Sequence, residues 1–189
     1  MSDVIAPIEL QVIGASLRSI AEEMGAVLIR SSFSANIKER RDCSTALFDE
    51  RGRMIAQAEH IPVHLGAMPD AVAAVMRLDL ELGQVAILND PYTGGTHLPD
   101  VTLVSRTDLG FAVSRAHHAD IGGIEPASLP AFSHTLEEEG VILPPQLLTD
   151  EVLERFVQAT RQPSGAVTET GAKAPPEAGR SGSTSTRTT

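Results

Sequence analysis

The chain has 189 residues, a net charge of −10 and 42% hydrophobic residues, which is enough to build one folded core. The acidic balance argues against a nucleic-acid partner, because phosphates require a basic surface. The sequence contains no apolar run near the ~20 residues that span a bilayer, it does not begin with a secretory signal pattern, and its single cysteine allows no internal disulfide. These features predict a cytoplasmic protein that binds neither nucleic acid nor membrane.

An amphipathic helix is predicted near the N-terminus. Pro7 fits the first turn of a helix, because proline lacks the amide hydrogen that is unused there. Apolar residues then recur at intervals of three and four, at Leu10, Ile13, Leu17, Ile20, Met24 and Val27. This stripe is most simply interpreted as core packing, and a partner-binding surface is the alternative.

Two β-hairpins are predicted from apolar runs separated by turn residues. The first joins Ala46–Phe48 to Met54–Ala56 through a charged turn that contains glycine. The second joins Val101–Val104 to a strand that runs from Phe111 to His117 or His118, through a short polar turn around Asp108. The predicted sheet is therefore largely antiparallel.

Helices are also predicted between and after the hairpins. The first of these runs from about Pro69 to Leu82 and ends at Gly83, a residue typical of the position after a helix. A long shaped loop from Pro126 to Pro145 precedes a short helix that begins after Thr149.

The predicted fold class is α+β: an N-terminal helix plus a largely antiparallel sheet built from hairpins. The alternating βαβ pattern of a doubly wound sheet is missing, and the sequence has no phosphate-binding loop of the form G-x-x-x-x-G-K-S/T. Residues 1–163 are predicted to form the domain. Of the 26 residues from 164 to 189, 20 are Ser, Thr, Gly, Ala or Pro. We expect a disordered low-complexity tail there, because so little apolar surface cannot offset the ordering entropy.

The stretch from Asn89 to Gly123 concentrates the polar groups that carry chemistry. A two- or four-residue turn in the second hairpin places Asp100 directly opposite His117, with Cβ atoms roughly 4.5–5.5 Å apart. His97 lies three residues before Asp100 on a segment that can fold back. Two imidazoles and a carboxylate suit zinc, manganese or iron, so these residues form a candidate metal site. An odd-length turn would bring His118 to that face instead, so both histidines stay candidates, with His117 preferred.

Other polar residues have less specific patterns. Asp120 is a candidate for a carboxylate that orients a histidine or accepts a proton from water. The alternative is a turn-forming aspartate that binds the nearby backbone. His60 and His64 are a secondary pair that could line the pocket or cap a turn, since Pro62 between them disfavours a helix.

Three motifs in order give the chain a resemblance to a known family. NDPYTGGTHLPD, SRAHHADIGG and EEEGVILPP, preceded by SFSANIKERRDCSTALFDERGRMIAQAEHIPVHLGAMP, resemble the hydantoinase B and oxoprolinase family. This family includes the metal-bearing subunits of acetone and acetophenone carboxylases. The resemblance covers roughly residues 7–161.

The resemblance implies an ATP-dependent enzyme that opens a cyclic amide or imide such as hydantoin or 5-oxoproline. A separate A-type subunit would bind the nucleotide. The metal ligands would be His97, Asp100 and His117 or His118. Family subunits are several hundred residues long, so we expect this chain to be an N-terminal portion, with a truncation or a change of reading frame near residue 163. A non-catalytic protein-binding remnant and a metal hydrolase that works without ATP are the alternatives.

Overall fold

The computed structural model describes residues 5–59, 64, 66–126 and 128–160. The helices are α1 (Pro7–Ser31), α2 (Ala35–Lys38), α3 (Met68–Val75), α4 (Leu136–Glu139) and α5 (Asp150–Ala159). The strands are β1 (Cys43–Phe48), β2 (Met54–Glu59), β3 (Val85–Leu88), β4 (Asp100–Thr107), β5 (Gly110–His117) and β6 (Gln146–Leu147). The six strands form one antiparallel sheet in the order β2-β1-β5-β4-β3-β6, which confirms the predicted fold class.

The β4–β5 hairpin forms as its turn residues predict. A two-residue connection, Asp108–Leu109, joins the strands, and the register places Asp100 opposite His117 at the far end. Gly110 has a φ of +136°, and a Cβ there would overlap the carbonyl oxygen of Phe48, so this position requires glycine.

The first hairpin joins the second in the middle of the sheet. β1 pairs with β2, the next strand in the sequence, and also with β5, which is distant in the sequence. In the pairing with β5, Ser44 lies opposite Arg115. The backbone amide of His117 donates to the carbonyl oxygen of Asp42, 3.0 Å away, so the residue before β1 is held beside the end of β5. This long-range pairing brings a third segment to the Asp100–His117 end of the sheet.

Helices cover both faces of the sheet. α3 packs on one face, where its buried residues contact a cluster that includes Phe48, Val104 and Val113. The other face is covered in two places: α1 lies over β1 and β2, and Phe156 of α5 packs against a cluster from β3 and β4. Residues that alternate along β5 therefore face different helices.

The apolar stripe of α1 is not core packing, and that prediction was wrong. The residues of α1 that are buried are Ala21, Gly25 and Leu28, on a neighbouring face of the helix. Four of the six stripe residues are exposed: Leu10 (61%), Ile13 (48%), Ile20 (47%) and Val27 (51%). The 3-4 spacing of the larger apolar residues indicates an amphipathic helix. It does not identify the side that packs on the sheet, because that side includes the small residues Ala21 and Gly25.

The middle helix is shorter than its apolar pattern predicts. α3 ends at Val75, and a 3₁₀ turn then runs over Met76–Leu78. Asp79 adopts a left-handed conformation with φ of 50°, which stops the helix before Gly83. Among the described residues, no helix is both long and apolar enough to cross a membrane. The predicted tail, residues 164–189, lies outside the described residues.

Thr149 caps α5, as predicted, and replacing it should weaken the domain. Its side-chain oxygen accepts from the backbone amide of Val152 at 3.3 Å. Thr149→Ala should lower the free energy of unfolding by about 0.5–1 kcal/mol in urea denaturation. Thr135, which precedes α4 without a side-chain cap, is the matched control, and Thr135→Ala should change the value by less than about 0.5 kcal/mol. Equal effects of the two substitutions would contradict the capping role.

Candidate metal centre

Asp100 and His117 meet at the open end of the β4–β5 hairpin. The Nδ1 atom of His117 lies 3.0 Å from Oδ1 of Asp100. The carboxylate is almost fully buried at 2% exposure, whereas the imidazole is 13% exposed. The hairpin register alone creates this contact, as the sequence predicts.

The loop before β4 brings His97 to the same carboxylate. The Nδ1 atom of His97 lies 3.1 Å from Oδ2 of Asp100, and Thr96 donates its hydroxyl to that oxygen at 2.9 Å. Asn89 fixes the loop: its Nδ2 donates to the carbonyl oxygens of Leu98 and Val141 at 2.8 and 2.9 Å, and its Oδ1 accepts from the amide of Leu143 at 2.7 Å. This buried amide therefore ties the loop to Val141 and Leu143, which lie far along the chain.

His64 and Asp42 also reach this end of the sheet. Nε2 of His64 lies 3.4 Å from Oδ2 of Asp100 and 3.8 Å from Oδ1 of Asp42. Nδ1 of His64 is 2.9 Å from the hydroxyl of Ser44. Its Nε2 is buried and lacks hydrogen-bond geometry to any described residue, so we treat the 3.4 Å contact with Asp100 as electrostatic. The sequence marked His64 only as secondary.

Asp42 was missed by the sequence reasoning. It stands two residues before Ser44, and side chains two residues apart along an extended strand point to the same side of the sheet. This alternation is the sequence signal that could have placed Asp42 on the side of Ser44. The pairing of β1 with β5, which sets Asp42 beside His117, is non-local and is not encoded in either hairpin alone.

The carboxyl group of Asp100 is held in its charged form. Burial alone would raise its pKa, but contacts with the imidazoles of His117, His64 and His97 outweigh burial and hold the pKa well below its usual range. A buried carboxylate with a lowered pKa that faces several imidazoles is a suitable metal ligand, because ligation requires the deprotonated acid.

Arg115 places a buried positive charge near the carboxylate of Asp100, because Arg115 and Thr102 form the cross-strand pair two residues along from the pair of Asp100 and His117. It is fully buried, and its Nε donates to the hydroxyl of Thr102 at 2.8 Å. Within the described part of the chain, its Nη1 and Nη2 atoms have no hydrogen-bond partner. Burial lowers the pKa of the guanidinium and the negative charge of Asp100 opposes that change. Each charge therefore offsets part of the burial cost of the other.

Three of these side chains fit a single ion. His97, Asp100 and His117 each offer a ligand atom, and these atoms lie within 4.8 Å of one another. The rings of His97 and His117 face each other at a centroid distance of 5.1 Å. The His97 side chain is 33% exposed, so the group opens to solvent on that side. Two imidazoles and one carboxylate match the ligand sets of zinc, manganese and iron and leave positions for water or substrate.

The group of three does not include His118 or Asp120. His118 is fully buried, and its ring meets the edge of Phe156 at 5.7 Å, on the α5 side of the sheet. The amide of Gly122 donates to Oδ1 of Asp120 at 2.8 Å, which is the turn contact named as the alternative for this residue. A role for Asp120 in proton transfer stays a prediction. His60 lies outside the described residues.

Comparisons with known proteins identify the family. The sequence matches the model of the Hydantoinase B/oxoprolinase family over residues 6–173. The 5-oxoprolinase of Saccharomyces cerevisiae is 46% identical over 156 residues, which are 78% of this chain and 12% of that protein. A candidate B-type subunit of a D-/L-hydantoinase from Pseudomonas sp. is 37% identical over 136 residues, which are 66% of this chain and 23% of that protein.

A solved structure agrees with the sequence relatives. The crystal structure of the ATP-dependent caprolactamase from Pseudomonas jessenii has a TM-score of 0.78 and 27% sequence identity, over 90% of this chain and 32% of that one. The chain thus spans between about a tenth and a third of the length of these proteins. With the family match over most of its length, the chain belongs to the hydantoinase B/oxoprolinase family.

Proposed function

We propose that this chain supplies the metal-binding part of an ATP-dependent hydrolase that opens a cyclic amide or imide, such as hydantoin or 5-oxoproline. The observation that carries the proposal is the convergence of His97, Asp100 and His117 within 4.8 Å at one end of the sheet. The relatives add the chemical class, because their names specify a 5-oxoprolinase, a component of a hydantoinase and a caprolactamase.

His97, Asp100 and His117 would hold a divalent transition ion, with zinc, manganese and iron as the candidates. When bound, such an ion supplies Lewis acidity toward a carbonyl oxygen or a water molecule. Thr96 orients the carboxylate of Asp100 through its hydroxyl, and partners of this kind fix the geometry of ligands. His64 and Asp42 flank the three ligands on the α3 side and would contribute to the same polar pocket.

The exposed edge at His97 is the side from which a ring substrate would enter. The buried charges of Asp100 and Arg115 are fixed by the fold before any substrate arrives, so little reorganisation is needed during the reaction. Asp120 is our candidate proton acceptor, with Oδ1 oriented by the amide of Gly122.

ATP would be bound by a partner. A cyclic amide is protected by resonance, and phosphorylation of the amide oxygen is one way to activate it. The chain has no phosphate-binding G-x-x-x-x-G-K-S/T loop, and one relative is named as the B component of an enzyme with more than one kind of polypeptide. We therefore propose an A-type subunit as the nucleotide-binding partner. A cytoplasmic location stays a prediction from the sequence.

A coupled assay tests this function. Mixed with an A-type subunit, the chain should support ADP release that depends on hydantoin or 5-oxoproline, together with ring opening. The chain alone should release no ADP. His97→Ala should reduce the reconstituted rate by roughly a hundredfold or more, because a two-ligand site holds metal poorly.

The control is an exposed histidine that does not belong to the group of three. His134 is exposed in the long loop, and its backbone amide contacts Glu138. His134→Ala should leave the rate within about twofold of the parent, as expected of a surface substitution. A reconstituted system that keeps full activity in His97→Ala would contradict the proposed role of the three ligands.

A further inference from the structure

The N-terminal half of α1 projects from the domain as a free helical arm. No residue from Ile5 to Ile20 is buried, whereas the second half packs on the sheet through Ala21, Gly25 and Leu28. Thr45 anchors that second half by donating its hydroxyl to the carbonyl oxygen of Ala21 at 2.7 Å. The fold thus holds a rigid helix against the sheet at one end and leaves the other end in solvent.

Six apolar residues of this helix lie on one line along it, whereas two other exposed apolar residues, Ile8 (73%) and Val12 (62%), lie off that line. We call the six residues the α1 seam: Leu10, Ile13, Leu17, Ile20, Met24 and Val27. Their intervals of 3, 4, 3, 4 and 3 residues match the a and d positions of a heptad. An alternation of three- and four-residue intervals is typical of a coiled-coil contact. Leu17 and Met24 are half-buried, and the other four are exposed.

The pattern is symmetric about its centre. When two copies of the helix run antiparallel, Leu10 meets Val27 of the second copy, Ile13 meets Met24, and Leu17 meets Ile20. The same three layers repeat beyond the two-fold axis. All six layers are then apolar, so the seam is complementary to itself in this direction.

The flanking charges favour the same arrangement. In the heptad frame Glu9 and Arg30 both occupy g positions, and facing g positions are neighbours in an antiparallel pair. Glu9 of each copy would lie beside Arg30 of the other, which gives two ion pairs per dimer. A parallel pair would set Glu9 and Glu23 opposite Gly14 and Leu28, with no opposite charge.

The arm also leaves room for a second molecule. Gly14 lies within the exposed arm, in an e position beside the seam, and no atom apart from the nearby backbone of its own helix lies within 4 Å of a Cβ built there. We propose that the α1 seam is a homodimer interface, in which α1 of two copies of this chain packs antiparallel, with Glu9 and Arg30 paired between copies. This inference does not depend on the metal centre.

The test uses the full 189-residue chain and two single charge reversals. Sedimentation equilibrium should show that the parent chain dimerises. In a homodimer of Glu9→Arg, position 9 of each copy places an arginine beside Arg30 of the other copy, so both contacts become repulsive. In a homodimer of Arg30→Glu, both contacts join two glutamates and are also repulsive. Each variant alone should dimerise roughly tenfold more weakly than the parent. An equimolar mixture should regain dimers at parent strength, because the mixed dimer has two ion pairs: the original contact between Arg30 and Glu9, and a reversed contact between the two substituted positions.

The mixture separates this account from others. Glu9 and Arg30 also complement the dipole of their own helix, but a dipole effect gives no gain on mixing. Arg18→Glu and Glu22→Arg, two exposed reversals off the seam, are the matched pair, and their mixture should behave like each alone. Leu17→Glu should weaken dimers roughly a hundredfold or more, since it places two carboxylates at the central layers.

Two results would overturn the inference. The first is a parent chain that stays monomeric at the highest soluble concentration, which would indicate that the seam binds a different protein, such as the A-type subunit, or another part of a longer polypeptide. The second is a mixture of Glu9→Arg and Arg30→Glu that dimerises no better than either variant. Circular dichroism of each variant confirms that α1 and the sheet are folded.

Discussion

Replacing Asp100 with Asn should reduce the affinity for a divalent transition ion by roughly a hundredfold or more, because it removes the only negatively charged ligand of the proposed set. Asp100 lies between the imidazoles of His97 and His117, with Nδ1–carboxylate distances of 3.1 and 3.0 Å. An asparagine has nearly the same shape, so the hairpin and its packing should persist. The loss of affinity would then report the charge rather than a change of fold.

The measurement is a competition titration of metal-free protein with a chromophoric chelator. Asp108→Asn is the matched control: it makes the same chemical change in the two-residue turn at the opposite end of the same hairpin. This control should bind metal with the parent affinity. If Asp100→Asn binds as tightly as Asp108→Asn, the carboxylate is not a ligand.

The same variant should change how the metal-free protein responds to acid. The pKa of Asp100 is lowered in the folded state, so its contribution to stability is present above the unfolded value of about 4 and is lost as the pH falls toward the folded pKa. The difference in unfolding free energy between the parent and Asp100→Asn should therefore shrink as the pH is lowered from about 5 to 3. Urea denaturation across this range, in the presence of chelator, measures that difference.

Asn89→Ala should lower the free energy of unfolding by about 3–5 kcal/mol, the largest stability effect that we expect from a single polar residue here. The side chain is fully buried and makes three hydrogen bonds of 2.7 to 2.9 Å, with Leu98, Val141 and Leu143. Alanine would leave two carbonyl oxygens and one amide without that partner. Each such loss costs about 1–3 kcal/mol when the group stays buried.

Gln84→Ala is the control for this substitution, because the Gln84 side chain caps an exposed turn through one bond to the amide of Glu81. It should change the stability by less than about 0.5 kcal/mol. Asn89→Ala should also weaken metal binding, since Leu98 follows His97 directly in the loop that Asn89 holds. A variant with parent stability and parent metal affinity would show that Asn89 does not fix this loop.

The sequence predicted the part of the site that depends on local geometry. The β4–β5 register follows from a two-residue turn, so Asp100 and His117 are neighbours whatever the rest of the sheet does. Helix starts at Pro7 and after Thr149 follow from their first-turn residues. These predictions need no knowledge of distant segments.

The parts that failed depend on contacts between distant segments. Asp42 joins the site through the pairing of β1 with β5, and no local pattern encodes that pairing. Arg115 is different, because the β4–β5 register alone sets it opposite Thr102. The α1 seam has a clear period, but the face that packs on the sheet is made of Ala21, Gly25 and Leu28, which the period of larger residues conceals. Periodicity predicts that a helix is amphipathic, whereas the choice of the packed face is set by the shape of the surface it meets.

The central claim is that His97, Asp100 and His117 bind one metal ion, and elemental analysis of purified protein tests it most directly. The parent chain, expressed with zinc, manganese and iron available, should retain close to one transition ion per chain. His117→Ala should lose most of it, whereas His118→Ala, a change at the next residue on the Phe156 side of the sheet, should retain it despite some loss of stability. Protein that carries no transition ion, or a His117→Ala variant that keeps its metal while His118→Ala loses it, would contradict the account.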